Sequence, residues 1–79
     1  MKATAVSSPK PHISRPITVN GRPCEVCADT LEAALGELGY GGAKIATALN
    51  GEFVAAGQRG VARLADGDRL EIVAARAGG

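Results

Sequence analysis

Ala46-Thr47-Ala48-Leu49-Asn50-Gly51-Glu52-Phe53-Val54 is the stretch that decides the fold. Asn-Gly is the strongest short-range hairpin signal, because a two-residue type I′ turn needs positive φ at both central positions and these residues tolerate it best. The segment therefore reads as two antiparallel strands. Alternation along the first strand sets Ile45, Thr47 and Leu49 on one side and Ala46 and Ala48 on the other. Beyond the turn, Phe53 and Val54 are strand neighbours that must face opposite ways, so one of them is exposed.

Toward the N-terminus the same device recurs at Asn20-Gly21, between the β-branched run Ile17-Thr18-Val19 and the extended segment Pro23 to Val26. This predicts another hairpin, with Cys24 and Val26 on one face. Asp29 or Thr30 can then cap a helix by accepting a bond from a free backbone amide, with Glu32 as an acid in its first turn. Leu31, Leu35 and Leu38 follow at helical spacing beside Ala34, leaving Glu32 and Glu37 off the apolar face. Gly39 suits the left-handed residue that ends a helix, and Gly41-Gly42 loosens the connection.

Toward the C-terminus, Gln58 to Leu64 reads as an irregular crossing in which two glycines lie close to Arg59. Asp66-Gly67-Asp68 is a turn, with Gly67 free to take positive φ, and it feeds a last strand from Arg69 to Ala74 in which Leu70 and Ile72 alternate with Glu71 and Val73. The order is strand, strand, helix, strand, strand, strand. Two hairpins and one helix on one sheet face imply an α+β fold.

Size and composition limit what such a domain can do. The 79 residues make one domain burying only about 60% of its unfolded surface, too little for a large internal active site. Apolar residues are 46% of the chain, yet Tyr40 and Phe53 are its only aromatics, and no apolar run approaches the roughly 20 residues of a membrane span. Residues 1–16 hold three of the four prolines, three serines, Lys2, Lys10 and Arg15, and no acid. They read as a disordered leader preceding a domain over 17–79. Ala3 to Val6 is too short for a secretory h-region, and a basic, acid-poor transit peptide is the alternative. The expectation is a cytoplasmic protein. Residues 17–79 carry six Arg or Lys against eight Asp or Glu, a net charge of −2. Nucleic-acid binding, which calls for a basic patch and stacking aromatics, is not expected, nor is a membrane partner.

Three features could carry chemistry. Cys24 and Cys27 form a C-x-x-C, but three strand residues place them about 10 Å apart on opposite faces, beyond the roughly 7 Å reach of a disulfide. If Cys27 falls in the turn instead, pairing becomes possible, while zinc would need two further ligands and His12 lies remote in the leader. No metal or catalytic set is assigned. Arg69 and Arg76 are candidates for acidic partner residues, and an exposed Phe53 for a partner-binding face. The third feature is the Ala77-Gly78-Gly79 end. A terminal glycine places a carboxylate on a residue with no Cβ to hinder attack at the carbonyl carbon or entry into a narrow channel. A frayed terminus is the bland reading of such an end.

Taken in order, Ile17-Thr18-Val19-Asn20-Gly21, Thr30-Leu31 with Leu35, the Ala46 to Val54 stretch, the run from Asp66 to Val73 and the final Gly78-Gly79 resemble the thiamine-biosynthesis sulfur carrier proteins. The resemblance covers about residue 17 to the end. It implies a ubiquitin-like β-grasp, a mixed sheet of about five strands in ββαβββ order with one main helix and a flexible tail over 75–79, the first and last strands lying side by side at the sheet centre. It also implies a protein that is a carried substrate rather than an enzyme, with no bound cofactor. A ubiquitin-activating-like adenylyltransferase would use ATP to convert the Gly79 carboxylate to an acyl-adenylate. Sulfur from a donor such as a cysteine desulfurase would displace AMP, and thiazole synthase would receive it. Gly79 would carry the sulfur and Gly78 give the slender approach. The chain departs from many relatives at Val54-Ala55-Ala56-Gly57-Gln58-Arg59, where Pro-Arg and an aromatic are usual. Its short, aromatic-free first hairpin and the absence of proline before the tail weigh against the small subunit of molybdopterin synthase. A ubiquitin-like modifier or interaction module is the alternative in another class, and an independent C-x-x-C redox protein a third.

Overall fold

The computed structural model describes residues 14–74, and every structural statement below concerns them. Five strands and one helix follow in the order β1 (Arg15–Val19), β2 (Arg22–Val26), α1 (Leu31–Glu37), β3 (Ile45–Leu49), β4 (Glu52–Val54) and β5 (Arg69–Ala74). A 3₁₀ turn, Ala56–Gln58, opens the crossing from β4 to β5. The strands form one sheet in the order β2-β1-β5-β3-β4. Only β1 and β5 run parallel, pairing Thr18 with Arg69 and Val19 with Leu70. This is the ubiquitin-like β-grasp expected from the sequence, with the last strand in the middle.

Both hairpins turn on their Asn-Gly pairs. Asn20 and Gly21 take φ of 52° and 83°, and Asn50 and Gly51 take 54° and 87°. Positive φ at both central residues is the type I′ geometry, whose twist matches that of the flanking strands. Each asparagine also uses its side chain on β5. Asn50 donates its backbone N–H to Arg69 O at 2.7 Å and accepts from Arg69 N–H at Oδ1, 2.9 Å. Its Nδ2 donates to Asp68 Oδ1 at 3.0 Å. Asn20 does the equivalent from the other flank, donating N–H to Leu70 O at 2.8 Å, accepting from Ile72 N–H at Oδ1, 2.8 Å, and donating Nδ2 to Ile72 O at 3.1 Å.

β1 begins at Arg15, two residues before the domain boundary drawn from composition. Arg15 pairs with Val26 and Pro16 with Glu25. Proline content suggested a leader there, but the register makes these prolines harmless. The pair flanking the two-residue turn, Val19 and Arg22, exchanges ladder bonds, and so does every second pair from it. Pro16 and Pro23 fall on the intervening pairs, so neither is asked for an N–H on that ladder. Pro16 O accepts from Gly67 N–H at 2.7 Å, which seats the Asp66-Gly67-Asp68 turn beside β1. Gly67 has φ of 86°.

Of the two candidate caps, Thr30 is the N-cap, accepting from Ala33 N–H at 3.3 Å. At the other end Gly39 takes φ of 92°, with Tyr40 N–H on Leu35 O and Gly39 N–H on Gly36 O. These two bonds are the pair that closes a helix through a left-handed glycine. One face of α1, Leu31, Ala34 and Leu35, is buried against Ile17, Val26, Leu70 and Ile72 of the sheet, with Ala28 and Leu64 at the margins. Thr47 is the one buried polar residue of this core among those described.

Candidate functional site

Strand alternation leaves the sheet face opposite α1 without cover from any described element. Phe53 stands 72% exposed and Val73 65% exposed on it, while Val54, the neighbour of Phe53, packs on the core. The register lays these residues out in rows. Phe53 pairs with Ala48, which pairs with Glu71, and in the next row Ala46 pairs with Val73. An apolar strip thus crosses from β4 over β3 to β5, interrupted only by the carboxylate of Glu71. It ends on the strand from which residues 75–79 continue.

Arg69 lies on this same face at the start of β5, paired with Thr18 and exposed. Two strand spacings across and two residues along put its Cα about 12 Å from that of Phe53. The structure therefore brings Phe53 and Arg69, far apart in sequence, onto one surface. Arg76, Gly78 and Gly79 lie outside the described residues.

Only Cys24 lies on β2; Cys27 falls just past its end, on the way to the helix. Cys24 is half-buried against the core and Cys27 is exposed; both are free thiols. Cys27 is held by its backbone, its N–H donating to both carboxylate oxygens of Glu37 at 2.9 and 3.1 Å. No group of three or more His, Cys, Asp or Glu side chains able to hold a metal occurs among the described residues. Nor is any described helix long and apolar enough to cross a membrane.

Arg59 has a role that the sequence did not suggest. Its Nη2 donates to Ile45 O at 2.8 Å and its Nε to Thr47 Oγ1 at 3.2 Å, and the Thr47 hydroxyl donates in turn to Val54 O at 2.9 Å. This chain of bonds ties the crossing after β4 back onto β3. It falls in the segment where the sequence departs from the Pro-Arg-aromatic pattern, so a polar clamp fastens this loop. Beside it, a shallow groove of about 520 Å³ is lined by Lys44, Ile45, Ala46, Arg59 and Val73 among others. The residues that the sequence reading missed, Asn20 and Asn50 as braces and Arg59 as clamp, all act on partners distant along the chain.

Five strands around a central β5, with one helix on one face, define a small β-grasp domain that leaves an apolar strip uncovered on its other face. Comparison with known proteins agrees. The ThiS family model matches residues 17–79, and the chain belongs to that family. In fold it is similar to the crystal structure of the thiamine biosynthesis protein ThiS from Geobacter metallireducens, at 29% sequence identity and a TM-score of 0.68, the match covering 81% of this chain and 99% of that one. No curated protein matches the chain closely enough to count. Family and fold together support a sulfur-carrier role in thiamine biosynthesis.

Proposed function

We propose that the chain carries sulfur on its C-terminal glycine for the building of the thiamine thiazole. A ubiquitin-activating-like adenylyltransferase uses ATP to convert the Gly79 carboxylate to an acyl-adenylate, releasing pyrophosphate. Adenylation is needed because a carboxylate's negative charge repels nucleophiles and it has no good leaving group. Sulfur drawn from cysteine and delivered as a persulfide, by a donor such as a cysteine desulfurase, displaces AMP to give an acyl disulfide. A thiol reductant then cleaves its S–S bond to leave the thiocarboxylate, and thiazole synthase takes that sulfur. The chain is a co-substrate, and ATP is bound by its partner. Gly78 keeps the approach slim, and Phe53 and Arg69 on the open face, with Arg76 in the tail, meet the partners. Cytoplasmic action fits the two free thiols.

The observation that carries this reading is that the family match runs through Gly79 while the central strand β5 leads directly into residues 75–79. Intact mass spectrometry on the chain coexpressed with its activating enzyme tests it. The expected result is one oxygen-to-sulfur exchange, mapped to the C-terminal peptide and abolished by deleting Gly79. Sulfur incorporation that survives the deletion would sink the proposal, and high-mass lysine conjugates would favour a protein modifier instead.

A further inference from the structure

The two flanks of β5 are held unequally where the chain leaves it. On the β3 side, main-chain pairing continues to the last residue, Ile45 opposite Ala74. On the β1 side it stops at Val19 opposite Leu70, because the main chain turns away at Asn20 into the hairpin. The parallel ladder nevertheless gains one more rung there. Asn20 Oδ1 accepts from Ile72 N–H at 2.8 Å and Asn20 Nδ2 donates to Ile72 O at 3.1 Å, so a carboxamide takes the place of the next peptide group of a longer β1. Among the described residues this is the last bond on that flank before Ala74.

We infer that Asn20 is a positioning residue for the sulfur-carrying end: its side chain holds Ile72 on the β1 side and so fixes the direction in which the chain leaves the sheet. The inference rests on the carrier reading for its functional half. A terminal carboxylate that must enter a partner's active site reacts only in a narrow range of positions, and small displacements there are costly in rate. Asn50 braces β5 in the same chemical way but at its opposite end, on Arg69 and Asp68. It is a built-in control.

Glycine separates the two jobs of each asparagine, because Gly-Gly still supports a type I′ turn but offers no carboxamide. In Asn20→Gly the Ile72 amide should exchange with solvent about fivefold faster or more, the factor for loss of one typical hydrogen bond. In Asn50→Gly it should not. With the activating enzyme, Asn20→Gly should lower kcat for adenylation about fivefold with KM within about twofold, since the docking face is intact. Partial unfolding alone would raise the apparent KM and leave kcat unchanged. Asn20→Asp keeps the acceptor for Ile72 N–H and loses the donor, so its exchange rate should fall between wild type and Asn20→Gly. Unchanged Ile72 exchange in Asn20→Gly overturns the inference, as does faster exchange with unchanged kcat. Failure of the wild-type chain to gain sulfur would refute the carrier reading, while the exchange comparison still decides whether Asn20 holds Ile72.

Discussion

The two faces of the sheet are cut from the same strands yet do different work. On the covered face Ile17, Val26, Leu70 and Ile72 are all 6% exposed or less beneath Leu31 and Leu35. On the open face Phe53 and Val73 stand in solvent at 72% and 65% exposure, with Ala46 and Ala48 between them. β5 serves both, sending Leu70 and Ile72 inward and Arg69, Glu71 and Val73 outward. The contrast teaches that apolar character alone does not locate a core. The covered face builds the domain, whereas the open face holds apolar area that the fold does not use, which is what a docking surface requires.

Substitutions on each face put that contrast at risk. Leu70→Ala removes a side chain that is 1% exposed and should cost about 2–5 kcal/mol. Thermal unfolding would register this as a fall of about 4–8 °C per kcal/mol for a domain of this size. Next in size is Thr47→Val on the same face. It deletes the hydroxyl that donates to Val54 O and accepts from Arg59, for about 1–3 kcal/mol, measurable by denaturant titration. Phe53→Ser on the open face should shift stability by no more than about 0.5 kcal/mol, while weakening capture by the activating enzyme about tenfold if it anchors there. Should Phe53→Ser destabilise as much as Leu70→Ala, the two faces are not divided as described.

Much of the architecture was written in short stretches. Each Asn-Gly pair specifies its own turn within two residues, and the Leu31, Ala34, Leu35 spacing specifies which side of α1 is buried, so both hairpins and the helix were legible. Thr30 and Asp29 were not separable as caps, because both offer a side-chain oxygen and the choice depends on how the chain enters the first turn. Arg15 and Pro16 looked like leader because composition ignores register, and register excuses a proline lacking an N–H. The second role of Asn20 could not be read from spacing at all, as its partner Ile72 lies 52 residues away. For the site, alternation required that Phe53 or Val54 be exposed, but only the sheet order brought Phe53 and Arg69 onto one surface.

The place of β5 has a consequence for how the protein is made. It is the final described strand to be synthesised and the middle strand of the finished sheet, so the β1–β2 and β3–β4 hairpins cannot join into one sheet until residues 69–74 emerge. Completion of the sheet therefore waits for nearly the whole chain, as expected where distant segments must pair. A nascent or prematurely ended polypeptide lacking β5 would hold two hairpins that share no sheet. Residues 75–79 thus emerge together with the strand that completes the sheet.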